Sequence, residues 1–488
     1  MLSKHYKIIL FYVVSALFLA FNIYFVVQQE TLLASILPLV LAIVFIAIVR
    51  LDSLLLLVTF FTPISLPLHD LVEGLPFDMF LPTEPLLFGI LILFLFKLAE
   101  RQSFEKDILT HPISLALYFY LGWMLITAVT STMPIVSLKF WLSKLWFLGA
   151  FYFMGILLFR NTKNIYRFVG LYCGAFVIVI FYAWARHFAF GFHNDQAAHF
   201  VMNPFYKDHT SYGAMLAFFI PILIGLTFSK SYRNGYRLLS GCGLLLFTIA
   251  LILSYTRAAW LSLVLGGVVW LVIKLKLRFR PLFITGLSVV AIVLVFQTQI
   301  LMFLERNNQE SSADLATHLS SMTNVTTDAS NLERINRWSS ALQMFEEKPV
   351  FGWGPGTYMF QYAPFQLTKN RTIISTNSAD RGNAHSEYLG PLAESGFLGA
   401  VSFILLVVVI LYVGVHAYTR SSKKEHRMII LSAIIGLVTY LVHGFLNNFL
   451  DTDKASIPFW GFVAILVVFD LQSKLEQKRN LPKKKLQV

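Results

Sequence analysis

Arg257 stands in the segment Ser254-Tyr-Thr-Arg-Ala-Ala-Trp260, between two apolar runs of membrane-spanning length. A guanidinium at that depth is costly unless it snorkels to the interface, finds a partner or faces a water-filled cavity. It also binds phosphate through a rigid fork of donors and stays charged at any working pH, so an anion site is the functional alternative. Arg334 and Arg337 lie three residues apart on an expected helix and therefore share a face. They offer the same choice, between a solvated face paired with Glu333 and a second cationic grip. His385 is the single histidine in the second half of this polar segment, and its ordinary pKa suits it to accept a proton near neutrality.

Other groups carry weaker signals. His187, His193, His199 and His209, with Asp195 and Asp208, are metal-ligand types, but their spacings match no compact motif and no metal is expected there. Lys139 and Lys144 fall on different faces of one apolar run; Lys139 is placed to snorkel, and Lys144 is deep enough to line a cavity. Gly352, Gly354 and Gly356 read as a tight turn rather than a phosphate cradle, since no Lys-Ser/Thr follows. Cys173 and Cys242 both sit within apolar runs, so neither a disulfide nor a cysteine metal site is expected.

The elements that must position these residues are membrane spans. Of 488 residues, 57% are hydrophobic and only 13% charged, too little charge to cover a soluble protein of this length. Runs such as 8–27, 31–49 and 398–418 each approach the ~20 residues that cross a bilayer. The first run lacks a small-residue cleavage site, so a signal peptide is not expected. We expect an all-α, polytopic membrane helix bundle of about 12–14 transmembrane helices, centred near residues 18, 40, 60, 91, 121, 148, 177, 219, 245, 266, 292, 408, 437 and 464. Residues 238–273, interrupted around Arg257, read as a hairpin or a broken re-entrant pair.

The net charge of +13 follows the connections. Arg50, Arg101, Arg160 to Arg167, Lys230 to Arg237, Lys274 to Arg280, Arg420 to Arg427 and the tail fall on one side. The short connections opposite carry little that is basic beyond Lys207 and Lys454. By the positive-inside rule both termini are then cytoplasmic, and the basic excess is topological rather than a sign of nucleic-acid binding. The expected domains are an N-terminal bundle (1–304), one large extracytoplasmic helical loop (305–395), C-terminal spans (396–472) and a basic cytoplasmic tail (473–488). The loop carries ten acidic and seven basic residues, and in it Ile335, Trp338, Leu342 and Phe345 recur at helical spacing. Loops of this length are usually functional.

Three segments together resemble the O-antigen ligase and polymerase superfamily. They are Arg334-Ile-Asn-Arg-Trp-Ser-Ser-Ala-Leu-Gln-Met-Phe-Glu-Glu-Lys-Pro-Val-Phe-Gly-Trp-Gly-Pro-Gly356, Ala384-His-Ser-Glu-Tyr-Leu-Gly-Pro-Leu-Ala-Glu-Ser-Gly396 and Tyr255-Thr-Arg-Ala-Ala-Trp-Leu261. The resemblance implies a glycosyltransferase that takes a glycan from a polyprenyl-diphosphate carrier and joins it to a lipid-linked or glycan acceptor. Its place would be the outer side of the bacterial cytoplasmic membrane, in lipopolysaccharide or other surface-polysaccharide synthesis. It further implies that Arg257 and Arg334 grip the diphosphate, with Arg337 as a third, and that His385 sits beside the acceptor hydroxyl, with no metal or other cofactor. Ser386 follows the histidine where the family often has Asn. A polymerase or a protein glycan transferase of the same superfamily differs only in acceptor. A lipid-linked oligosaccharide flippase is the alternative of another class, and it leaves the loop histidine without a purpose.

Overall fold

A computed structural model describes residues 13, 15–24, 27, 50–70, 79–99, 104–230, 232–276, 329–367, 375 and 382–480. The expected spans near 40 and 292, the polar stretch before Ala329 and the end of the tail lie outside these residues. The chain divides into two compact units, Met1–Val58 and Thr59–Val488. The first contains the short apolar helix Ser15–Tyr24 and the start of the helix Leu51–Phe61. The site belongs wholly to the second.

The fold is all-α, a polytopic membrane bundle. Among the described residues nine helices are long and apolar enough to cross a membrane. They follow helix α1 (Thr83–Ala99), and are α2 (Pro112–Val129), α3 (Pro134–Phe159), α4 (Thr162–Phe190), α5 (His209–Phe228), α6 (Asn234–Leu253) and α7 (Arg257–Lys274). After the loop helix α8 (Ala329–Glu347) come α9 (Leu389–Arg420), α10 (Lys424–His443) and α11 (Asp453–Asn480). Residues 238–273 form the hairpin α6–α7, closed at Ser254 to Thr256 with Tyr255 in a left-handed conformation (φ 52°). Among the described residues a single two-residue antiparallel pairing, Leu66–Pro67 with Phe80–Leu81, interrupts the helical pattern.

Within lipid, helices gain nothing from hiding apolar surface against each other, so close packing and polar bonds must hold them. Both are present. Helix α5 packs on α6 and α10, α7 on α10, and α9 on α2 and α11. A Cβ on Gly213 of α5 would meet Thr256 at 2.7 Å, which fixes the start of α7 against the start of α5. Helix α11 is buried from Asp453 to Asp470 and is tied at both ends of that stretch. At one end Asp470 takes His111 at 3.3 Å, Lys474 at 2.8 Å and Arg420. At the other, Lys454 donates to the carbonyls of Thr62 and Ser65, both at 2.7 Å, while Asp453 accepts from Ser65 and Thr83. Lys454, expected on a short outer connection, is thus a buried structural cation.

The segment from Ala329 to the start of α9 has its own small core of Ala341, Met344, Tyr358, Tyr362, Ala384 and Ala393. Helix α8 forms where its periodicity predicts, but it buries a different stripe. Glu333, Asn336, Arg337, Ser340, Ala341 and Met344 face inward, whereas Leu342 is 45% exposed. The Glu333–Arg337 ion pair and the bond from Asn336 to Gln366 engage that polar stripe, so apolar spacing alone points to the wrong face. The glycine-rich segment is the tight turn expected, with positive φ at Gly352, Gly354 and Gly356. It is stitched to α9 by backbone bonds from Trp353 to Ala393 (3.1 Å), Gly354 to Glu394 (2.7 Å) and Phe397 to Pro349 (2.9 Å). Helix α9 breaks there, at Gly396 (φ 69°).

A Cβ on Gly352, at φ +67°, would lie 2.3 Å from the Glu394 carbonyl carbon, whereas one on Gly174, in α4, meets nothing within 4 Å. Gly352→Ala should therefore lower the thermal unfolding midpoint of the purified protein, with a cost above about 1 kcal/mol. Gly174→Ala should leave the midpoint unchanged or raise it, by about 0.5–1 kcal/mol in stability.

Candidate functional site

The turn that follows α10, residues 443–451, is where the sequence-predicted residues meet. Arg334 donates from Nε to the carbonyl of Leu446 at 3.3 Å. The His385 side chain is hydrogen-bonded with that of Asn447. Arg257 is the first residue of α7, exposed, between Thr256, whose hydroxyl donates to the His209 carbonyl at 2.7 Å, and Ala258, whose backbone meets the His443 ring. His443 in turn contacts the Asn447 amide at 3.1 Å. Three segments far apart in sequence thus bring Arg257, Arg334 and His385 around one turn.

Local conformation aims each group. His385 adopts φ 47°, a left-handed geometry that a non-glycine residue takes only when its surroundings enforce it. The enforcement is visible: its amide donates to Asn383 Oδ1 at 3.1 Å and its carbonyl accepts from Trp338 Nε1 at 3.2 Å. Arg257 is a cation at a helix N-terminus, where the helix dipole favours an anion. That placement disfavours the empty site and suits one holding an anion, which would meet both the guanidinium and the positive end of the helix dipole.

Arg337 does not join the other two. Its Nε donates to Glu333 at 2.6 Å, its guanidinium lies 3.9 Å over the Tyr362 ring, and its carbonyl accepts from Tyr358. The side chain is buried inside the loop's core. Glu333, despite burial that acts to raise it, is held below the usual carboxylate range by Ser375 and Arg337. The three-residue spacing that predicts a shared face with Arg334 is real, but the ~60° between them on the helix is enough to send one into the loop core and the other to the 443–451 turn.

Two groups that sequence reasoning undervalued complete this face. Asp208 caps α5, accepting from the Ser211 amide at 2.8 Å and the Thr210 hydroxyl at 2.7 Å. Burial opposes its ionisation, but these bonds and His209 outweigh it and keep the carboxyl below its ordinary value. The rings of His199 and His209 stack at 4.1 Å beside it. The sequence signal was present, a His-Asp cluster before α5, but metal spacing was the wrong test to apply to it.

The other side of the His385 turn has the opposite electrostatic character. A cavity of about 270 Å³ is lined there by Lys144, Glu387, Glu394 and Asp451 together with Trp123 and Phe140. Lys144 donates to Asp451 at 2.6 Å and to the Leu450 carbonyl at 2.9 Å, so the deep lysine does line a cavity. Glu387 is the main tie between the two turns. One of its oxygens accepts from the amides of Phe449 (2.8 Å) and Leu450 (2.9 Å) and from the Tyr440 hydroxyl (2.5 Å), and its own amide donates to Gly444 at 2.8 Å. Nothing in its sequence context marks it, because its partners lie some sixty positions away.

These features define a multi-pass membrane protein with a cationic, histidine-bearing cleft at one end of its bundle. Residues 242–404 match the family model described as O-antigen ligase. The match supports a membrane glycosyltransferase of that type. It spans Arg257, Arg334 and His385, whereas His443 and Asn447 lie beyond it. No curated protein matches the chain.

Two consequences of these environments are measurable. Burial, then Arg334 and Arg337, push His385 down to about 4, so its imidazole stays neutral until the pH falls to that value. Carbethoxylation of His385, followed by peptide mass spectrometry, should therefore persist well below about pH 6.5, where an ordinary histidine is half protonated. Arg334→Gln removes a repelling cation and should move the midpoint of that reaction upward.

Glu387 is pushed up to about 7 by burial and by Asp451, against Lys144 and its hydrogen bonds. A carboxyl with a raised folded value contributes stability at low pH that is lost as pH rises toward that value. The wild-type unfolding midpoint should fall between about pH 5 and about pH 7, and Glu387→Gln, which keeps an accepting oxygen but cannot ionise, should flatten that slope.

Proposed function

We propose that the protein joins a polyprenyl-diphosphate-linked glycan to an acceptor sugar, as an O-antigen ligase type of glycosyltransferase. The observation that carries this reading is the meeting of Arg257, Arg334 and His385 at the 443–451 turn. Charge selects the side on which the donor binds. A diphosphate is drawn to the face with Arg257 and Arg334 rather than to the cavity lined by Glu387, Glu394 and Asp451, whose one cation, Lys144, is already paired with Asp451.

In the proposed reaction the acceptor oxygen attacks the anomeric carbon as the bond from that carbon to the diphosphate oxygen breaks. The two guanidiniums stabilise the charge that collects on the leaving diphosphate. His385 accepts the acceptor's hydroxyl proton and later releases it to water. An imidazole held near 4 is a weak base in the empty site. Donor binding places negative charge beside the same arginines, offsets their field and raises the basicity of His385 as it is needed. A single in-line displacement inverts the anomeric centre. Arg337 serves as a positioning residue, fixing the loop through Glu333 and Tyr362.

The reading places this face of the bundle outside the cytoplasmic membrane of a bacterium, with both termini inside. It requires no metal, because two fixed cations do what a divalent ion does in other glycosyl transfers. Polymerase activity uses the same chemistry with a carrier-linked acceptor, so the acceptor alone separates the two.

Transfer by the purified protein, with lipid-linked donor and EDTA present, tests the proposal. Arg257→Ala and Arg334→Ala should each lower the rate by about 10²–10³-fold. His385→Ala should lower it by about 10²–10⁴-fold. Full activity in any of the three would overturn the assignment of that residue. Loss of activity in EDTA, restored by manganese, would overturn metal independence.

A further inference from the structure

At the end of the bundle opposite Arg257, a groove opens between α5, α7 and α10. Its volume is about 800 Å³. Its walls are apolar, with Pro221 and Ile224 from α5, Leu263 and Trp270 from α7, and Leu431 and Ile435 from α10. Its mouth carries three cations, Lys274, Lys424 and Arg427, and no Asp or Glu lines it.

The charge is unbalanced here in a way that it is not nearby. Arg420 pairs with Asp470, Lys474 with the same carboxylate at 2.8 Å, and Lys423 with Glu476 at 3.4 Å. Glu425, on the same helical turn as Lys424, accepts instead from the Tyr166 hydroxyl at 2.5 Å. Among the described residues no carboxylate pairs with Lys274, Lys424 or Arg427. Arg427 is held by the Tyr418 ring, 4.6 Å from its guanidinium carbon, and Tyr418 also lines the groove. Ser229 and Ser432 add hydroxyls to the same lining.

We propose that this groove binds an anionic phospholipid of the surrounding leaflet. Its head-group phosphate would sit among Lys274, Lys424 and Arg427, and its acyl chains would lie along α5 and α7. The chemistry decides for an anionic lipid over a zwitterionic one: three cations without a counter-carboxylate leave a positive field that only a net negative head group neutralises, and basic pockets between membrane helices select such head groups. The apolar walls decide for a lipid over a free phosphate, which would gain nothing from them. This site is about a helix length, ~27 Å, from Arg257 along α7. It is therefore independent of the proposed transfer reaction, and each can fail without the other.

The test uses the full chain in detergent. Phosphatidylglycerol, phosphatidylcholine and inorganic phosphate are titrated separately, with the unfolding midpoint and bound lipid (by native mass spectrometry) as readouts. Phosphatidylglycerol should raise the midpoint and remain bound, at least tenfold more tightly than phosphatidylcholine. The combined variant Lys274→Gln, Lys424→Gln, Arg427→Gln should lose that preference while keeping its midpoint in phosphatidylcholine. Equal effects of the two lipids, or an equal effect of phosphate alone, would overturn the proposal. As a check that does not depend on the variant folding, a photoreactive phosphatidylglycerol should label α5, α7 or α10 of the wild-type chain near the groove. Labelling elsewhere only would equally overturn it.

Discussion

The carboxylate of Glu387 holds the candidate site together. It spans the gap between the histidine turn and the turn after α10, taking two backbone amides and a tyrosine hydroxyl on one oxygen. Those amides would otherwise be unsatisfied donors at a break between helices, a costly condition close to lipid. The bond therefore meets a backbone requirement and a functional one together. Asn447, which reaches His385, and Leu446, whose carbonyl takes Arg334, lie on the turn that Glu387 pins. Remove the tie and the histidine and the arginine lose their common reference.

Charge is then separated across a thin wall of backbone. Arg257 and Arg334 lie on one side of it; Glu387, Glu394 and Asp451, with Lys144 against them, lie on the other. Buried charge is expensive unless paired, and here Lys144 pairs with Asp451 while burial favours the protonated form of Glu387 and Glu394. The acidic side gives the cleft a polarity as well as a shape, since an anion finds only one favourable side of the turn. The same logic explains Arg337. An arginine stacked on Tyr362 and bridged to Glu333 stiffens the loop that carries Arg334 without being available to a ligand.

Much of this was legible in the sequence, but unevenly. Hydropathy located helices at every expected span within the described residues, because a bilayer permits little else and the apolar runs are long. Arg257, Arg334 and His385 were legible as residues out of keeping with their surroundings or poised in a polar segment. The inward face of α8 was not, because its buried stripe is polar and its partners, such as Ser375 and Tyr358, lie elsewhere in the chain. Glu387, His443 and Asn447 were missed for a related reason. Each looks like an ordinary polar residue at a helix end until the fold places it against a turn far away in the chain.

The glycine turn at 351–356 shows why a loop on a membrane bundle can carry precise geometry at all. A loop held only by side chains would sample many positions over the membrane surface. Here Gly352 and Gly396 let two backbones approach to a distance that no Cβ would allow, so the loop is joined to α9 by main-chain hydrogen bonds. The loop helix α8, with Arg334, is thereby fixed to the start of α9, just past His385. The remaining cation, Arg257, comes from a different helix, held to α5 through Thr256 and Gly213. A ligand bound between these groups would bridge the loop and the bundle. Its charge would be stabilised by cations whose relative placement is set before it arrives, which is the condition under which electrostatics contributes most to catalysis.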